Sequence, residues 1–172
     1  MSFITCIASD SPISDVKNTH VKQLSVNEAL ETDAGVPEFL LDSSDTDKDD
    51  PDVILWVDSK EGLGEISIKR GELAHFLSDD GTLPATELHY FSSLEWLYSE
   101  QRANMLINHI KNHLEKANEV EIWHIWLGTE GEENRLKIKR HNVRIDELKP
   151  IDFENLLIKG QYDCLAVKRF AG

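Results

Sequence analysis

The sequence predicts a mixed α+β fold on three observations. Short apolar runs rich in aromatic and β-branched residues, such as VEIWHIWL at 120–127, have strand length. A longer segment, 99–117, repeats its apolar residues at helical spacing. From residue 88 onward the order reads strand, helix, strand, strand, helix, strand, the split βαβ pattern of ferredoxin-like domains with an antiparallel sheet and both helices on one face. The expected architecture is a ferredoxin-like βαββαβ half, 87–172, packed against an acidic α+β half, 1–86, the two forming either separate domains or one compact unit.

Each element has a local reason. In the first half SFITCIAS reads as a strand, and VKQLSVNEALE as a short strand followed by a helix that Ser25 and Glu28 open with a capping box. VILWVDS and GEISIKR read as two strands joined by a turn at Gly62 and Gly64. GELAHFLSDDG gives a short helix ending near Gly81. In the second half LHYFSSLEW is a strand, and Ser99 caps a helix whose stripe is Ala103, Leu106, Ile107, Ile110, Leu114 and Ala117. RLKIKRH alternates as a strand, Pro150 opens a short helix that Gly160 closes, and YDCLAVKRF is the last strand.

The strand at 120–127 is apolar on both sides, with Val120, Ile122 and Trp126 pointing one way and Trp123, Ile125 and Leu127 the other. A strand with one wet face should alternate. The second sheet face is therefore expected to be covered, by the first half of the chain or by a second copy in a homodimer.

Charge is unevenly distributed. The chain carries a net charge of -14; residues 1–90 hold 19 acidic and 6 basic side chains, a net -13, against 13 and 12, a net -1, in 91–172. Such a field repels phosphates and anionic membranes and favours basic protein partners. No apolar run approaches the 18 or so residues of a membrane span, and no secretory leader is read, which makes the expected location cytoplasmic. Cys6 and Cys164 each lie in an apolar run, the setting of buried reduced thiols.

The densest acidity is DSSDTDKDDPD, 42–52, with six aspartates in eleven residues. As a calcium loop it places Asp45, Asp47 and Asp49 correctly, but Asp50 stands where the turn needs glycine and Trp56 where a bidentate glutamate is needed. The expectation is instead a mobile acidic loop whose Asp45, Asp47, Asp49 and Asp50 contact a partner.

Motifs for chemistry are missing. There is no G-x-S-x-G elbow, no P-loop and no dinucleotide fingerprint. His109 and His113 share a helix face at zincin spacing, but Ile110 stands where the zincin glutamate would be, so no metal or other cofactor is assigned. The third strand of an RNA recognition motif would carry stacking aromatics, and RLKIKRHN has none, which speaks against nucleic acid. His124, amid tryptophans, is a candidate general base. Two functions follow as expectations: a non-enzymatic interaction or regulatory protein, of immunity or inhibitor type, using its acidic surface; or an enzyme or ligand binder with a pocket between the halves lined by His89, Trp123, His124 and Trp126.

Overall fold

The computed structural model describes residues 2–32, 34–44, 46–51, 53–57, 59, 62–70, 86–95, 97–127 and 138–169; side chains are described from residue 5 onward, and 125–127 as backbone alone. The fold is mixed α+β, as expected. Two compact units emerge, one of residues 1–17 with 66–172 and one of residues 18–65.

The first unit is built on a six-stranded sheet in the order β4-β5-β1-β6-β8-β7. Its strands are β1 (Ser2–Ser9), β4 (Ser67–Arg70), β5 (Tyr90–Glu95), β6 (Glu119–Leu127), β7 (Arg140–Arg144) and β8 (Cys164–Lys168). All neighbours are antiparallel except β7 and β8, which are parallel. The interior strands carry apolar residues on both faces: in β1, β6 and β8 Cys6, Ile7 and Ala8, Ile122 and Trp123, and Cys164 to Val167 are all buried, and in β5 Leu94 joins the helix-side core while Phe91 packs on the other side. The edges are charged, SIKR in β4 and RHNVR in β7, which discourages further strands from adding. Val16 also closes the outer side of β4, its N–H donating to the Ile68 carbonyl at 2.9 Å and its carbonyl accepting from Ile68 N at 2.8 Å.

Helices α3 (Glu100–His113) and α4 (Pro150–Leu157) pack on the same sheet face. Ser99 accepts from Arg102 N at 3.1 Å as the expected cap, and the whole predicted stripe from Ala103 to Ala117 is buried. Asp152 Oδ2 accepts from Lys149 N at 2.8 Å at the start of α4, and Gly160 stops the chain beyond it with a φ of +55°, a conformation open to glycine. Phe153 and Leu156 carry α4 into a core shared with Ile7, Ile122, Leu165 and Val167.

The ferredoxin-like order does not form. In that topology each strand-helix-strand unit brackets a strand of the other. Here β5 and β6 bracket β1 from the chain's start, and β7 and β8 lie side by side. Between β5 and β6 both edges of β1 are hydrogen-bonded, while its apolar faces lie in the helix-side core and in the Trp123 cluster. The divide near residue 86 is likewise not where the chain separates, because β1 and β4 belong to the same sheet as the later strands.

The second unit pairs β2 (Val21–Leu24) with β3 (Ile54–Val57) and adds α1 (Val26–Glu31) and α2 (Glu38–Asp42). Val26, Ala29, Ala34 and Ile54 form its small core, with Leu24, Leu40 and Trp56 against it. The capping box is present: Ser25 Oγ accepts from Glu28 N at 3.1 Å and Glu28 Oε2 from Ser25 N at 2.8 Å. Gly62–Gly64 is a 3-10 turn, but it joins no hairpin, since β3 pairs with β2 and β4 with β5. A Cβ on Gly62 would collide with the side chains of His20 and Val57, so close approach is what requires glycine there. The predicted helix at 71–81 and residues 135–137 of RLKIKRH lie outside the described residues; Ile138 and Lys139 are described but not in the strand, which begins at Arg140. No described helix is long and apolar enough to cross a membrane.

Candidate functional site

The unit at 18–65 holds the acidic residues singled out from the sequence. It carries 13 acidic and 3 basic side chains, a net -10 of the chain's -14. Asp47, Asp49 and Asp50 are exposed, and Asp45 lies outside the described residues. The described part of the loop is tied down by polar bonds. Asp49 N donates to Asp47 Oδ1 at 3.0 Å, and Asp50 N to the Asp47 carbonyl at 3.3 Å. Asn27, in α1, donates from Nδ2 to Asp49 Oδ1 at 2.7 Å and from its backbone N to the Lys48 carbonyl at 3.1 Å. Lys48 Nζ reaches the Leu41 carbonyl at 3.0 Å. The unit also exposes large apolar side chains, Phe39 at 71 % and Leu55 at 70 %. Single exposed apolar residues are ordinary; in a unit that also carries concentrated charge they offer the apolar contact that charge alone does not.

Among the described residues of the expected pocket, Trp123 and His124 do not converge. Alternation on β6 sends Trp123 and His124 to opposite faces. Trp123 packs with Cys6, Ala8 and Cys164, while His124, opposite Thr5, lies on the helix-bearing face and bonds Thr5 Oγ1 through Nδ1 at 2.9 Å. Burial holds the His124 imidazole below its ordinary pKa, with Asp163 opposing. His89 is exposed ahead of β5, and the Trp126 side chain lies outside the described residues.

The face opposite the helices is covered within a single chain at its centre, where Cys6, Ala8, Trp123, Cys164 and Ala166 are all buried and Leu88 and Phe91 pack against them. A homodimer is therefore not what covers the middle of this face. The same face holds a polar group that the sequence reading passed over. Glu121 is only 2 % exposed; it accepts from Trp123 Nε1 at 2.8 Å and from Arg140 Nη2, which also donates to Glu119 Oε1 at 2.9 Å. A lone carboxylate inside VEIWHIWL was the available signal, because a buried charge needs a partner. Cys6 and Cys164 both lie opposite Trp123, one on each side, two strand spacings apart or roughly 10 Å, beyond the reach of a disulfide. Both are free.

A second polar cluster lies where β1 ends. Ser9 Oγ is 2.8 Å from His113 Nε2 and donates to the Glu119 carbonyl at 3.1 Å. Asp10 accepts from Asn118 N at 3.1 Å and from Asn118 Nδ2 at 2.8 Å, and these bonds hold its carboxyl below its ordinary pKa against the opposing effect of burial. His109, one turn before His113, was visible in the sequence; Ser9, Asp10 and Asn118 gave no sign of joining it. Among the described residues no three His, Cys, Asp or Glu side chains converge as a metal-ligand set. No family model, curated protein or solved structure matches the chain.

Proposed function

We propose that this chain is a non-enzymatic interaction protein that binds a basic protein partner through the acidic unit at 18–65. The observation that carries the reading is the concentration of a net -10 in those 48 residues, with Asp47, Asp49 and Asp50 exposed. Unlike charge speeds encounter and fixes orientation, while apolar contacts such as Phe39 and Leu55 slow release. An immunity or inhibitor role, in which a negative surface occupies a basic effector, is the particular form this surface suits.

Affinity capture from native cytosol, with the intact chain and an Asp47→Asn/Asp49→Asn/Asp50→Asn variant side by side, tests the reading. A basic protein retained by the parent at low salt, and lost from the variant or at 1 M salt where the Debye length is about 3 Å, is the expected result. Equal retention by both chains at low salt would refute a role for these carboxylates.

A further inference from the structure

We propose that His109, His113 and Ser9 form an acid-sensitive latch between the end of α3 and the β1–β6 pair, closed at neutral pH and loosened as the imidazoles take up protons. Ser9 is fully buried and sits at the junction of three elements: its Oγ touches His113 Nε2 on α3, donates to the Glu119 carbonyl at the start of β6 and accepts from Ser11 N at 3.3 Å. His109 occupies the preceding turn. Its Nε2 is buried with no hydrogen-bond partner, in a depression lined by Ile7, Ile13, Ile110, His113 and Val120. A bare imidazole nitrogen tolerates such walls; an N–H that carries part of a positive charge there, with no acceptor, does not.

The groups acting on the pair can be named. On His109 they are burial and then the charge His113 would carry, both opposing protonation. On His113, burial opposes protonation and the Asp10 carboxylate beyond β1 favours it, with the net shift downward. The C-terminal end of α3 also favours a cation at His113, which leaves His109 as the more sensitive member. Because the closed form holds both imidazoles below the ordinary value of 6.5, an opened form binds more protons as pH falls below about 6.5, and acid shifts the balance toward opening. Each imidazole contributes up to about tenfold in the opening equilibrium per pH unit, until its own closed-state pKa is passed.

Amide hydrogen exchange on the intact chain between pH 7 and pH 5, corrected for intrinsic rates, reads the latch directly. The expected result is at least a tenfold loss of protection for Leu114, Lys116 and Ala117, whose N–H groups bond back to Ile110 and His113, relative to Leu165 in β8. His109→Leu, which fills the same apolar depression without a titrating group, should lose most of that differential. Equal loosening of β8 and α3, or the same differential in His109→Leu, would overturn the latch. Titration of the His109 ring by NMR in the parent chain gives a check that no variant's folding affects: a midpoint at or above 6.5 also overturns it.

Discussion

Replacing Arg140 by Ala removes the cation from a carboxylate that cannot return to water. Glu121 is 2 % exposed, whereas the Arg140 side chain is 32 % exposed, so solvent already screens part of the attraction. Breaking a fully buried pair costs about 3–5 kcal/mol, mostly because the abandoned charge stays desolvated. Partial screening at Arg140, and the Trp123 Nε1 bond that survives, place the expected loss at about 2–3 kcal/mol. For a chain of 172 residues about 2–4 °C of Tm accompanies each kcal/mol, so the transition should fall by roughly 4–12 °C. Urea and thermal unfolding of Arg140→Ala, Glu121→Gln and the double variant complete a mutant cycle. Glu121→Gln removes the charge that needs pairing, so the double variant should be more stable than Arg140→Ala alone. An Arg140→Ala chain within about 0.5 kcal/mol of the parent would refute the reasoning, since ordinary surface substitutions fall in that range.

Ile122→Asp puts a carboxylate into the core beneath α3 and α4, where Ile122 is fully buried; a loss of about 4 kcal/mol or more, much of the 5–15 kcal/mol typical of a domain, should appear as a non-cooperative or strongly shifted urea transition, and a near-parent midpoint would show that face to be open. Burial, with the Glu121 carboxylate adding to it, pushes the Cys6 thiol up to about 12, and burial also raises Cys164, so at pH 8 neither should react with a thiol reagent until the chain unfolds; modification at the rate of a free thiol under native conditions would contradict the packing around Trp123.

Local pattern fixed the elements that depend on neighbours within one or two turns. The α3 stripe, the Ser99 cap, the Ser25–Glu28 capping box and the Gly160 stop are all set by residues three or four apart, and all four are present. Two-sided apolarity likewise marked 120–127 for cover on both faces, which Ile122 and Trp123 have, because a residue's need for burial is its own property. Pairing is different in kind. Ser9 meets Glu119 across 110 positions, and β1 enters between β5 and β6, where both of its edges are paired, a placement that no window of sequence contains. The same holds for the partnerships of polar side chains. Trp123 and His124 are adjacent in the chain and separated by the sheet; Glu121 and Arg140 are 19 positions apart and joined. Charge can be counted along a sequence, so the acidity of the N-terminal part was legible there, while its concentration in a unit at 18–65 emerged only once tertiary contacts divided the chain. The physical reason is that periodicity, capping and net charge are sums over near neighbours, whereas strand order and buried polar partnership minimise the exposure of whole faces, which only the complete fold brings together.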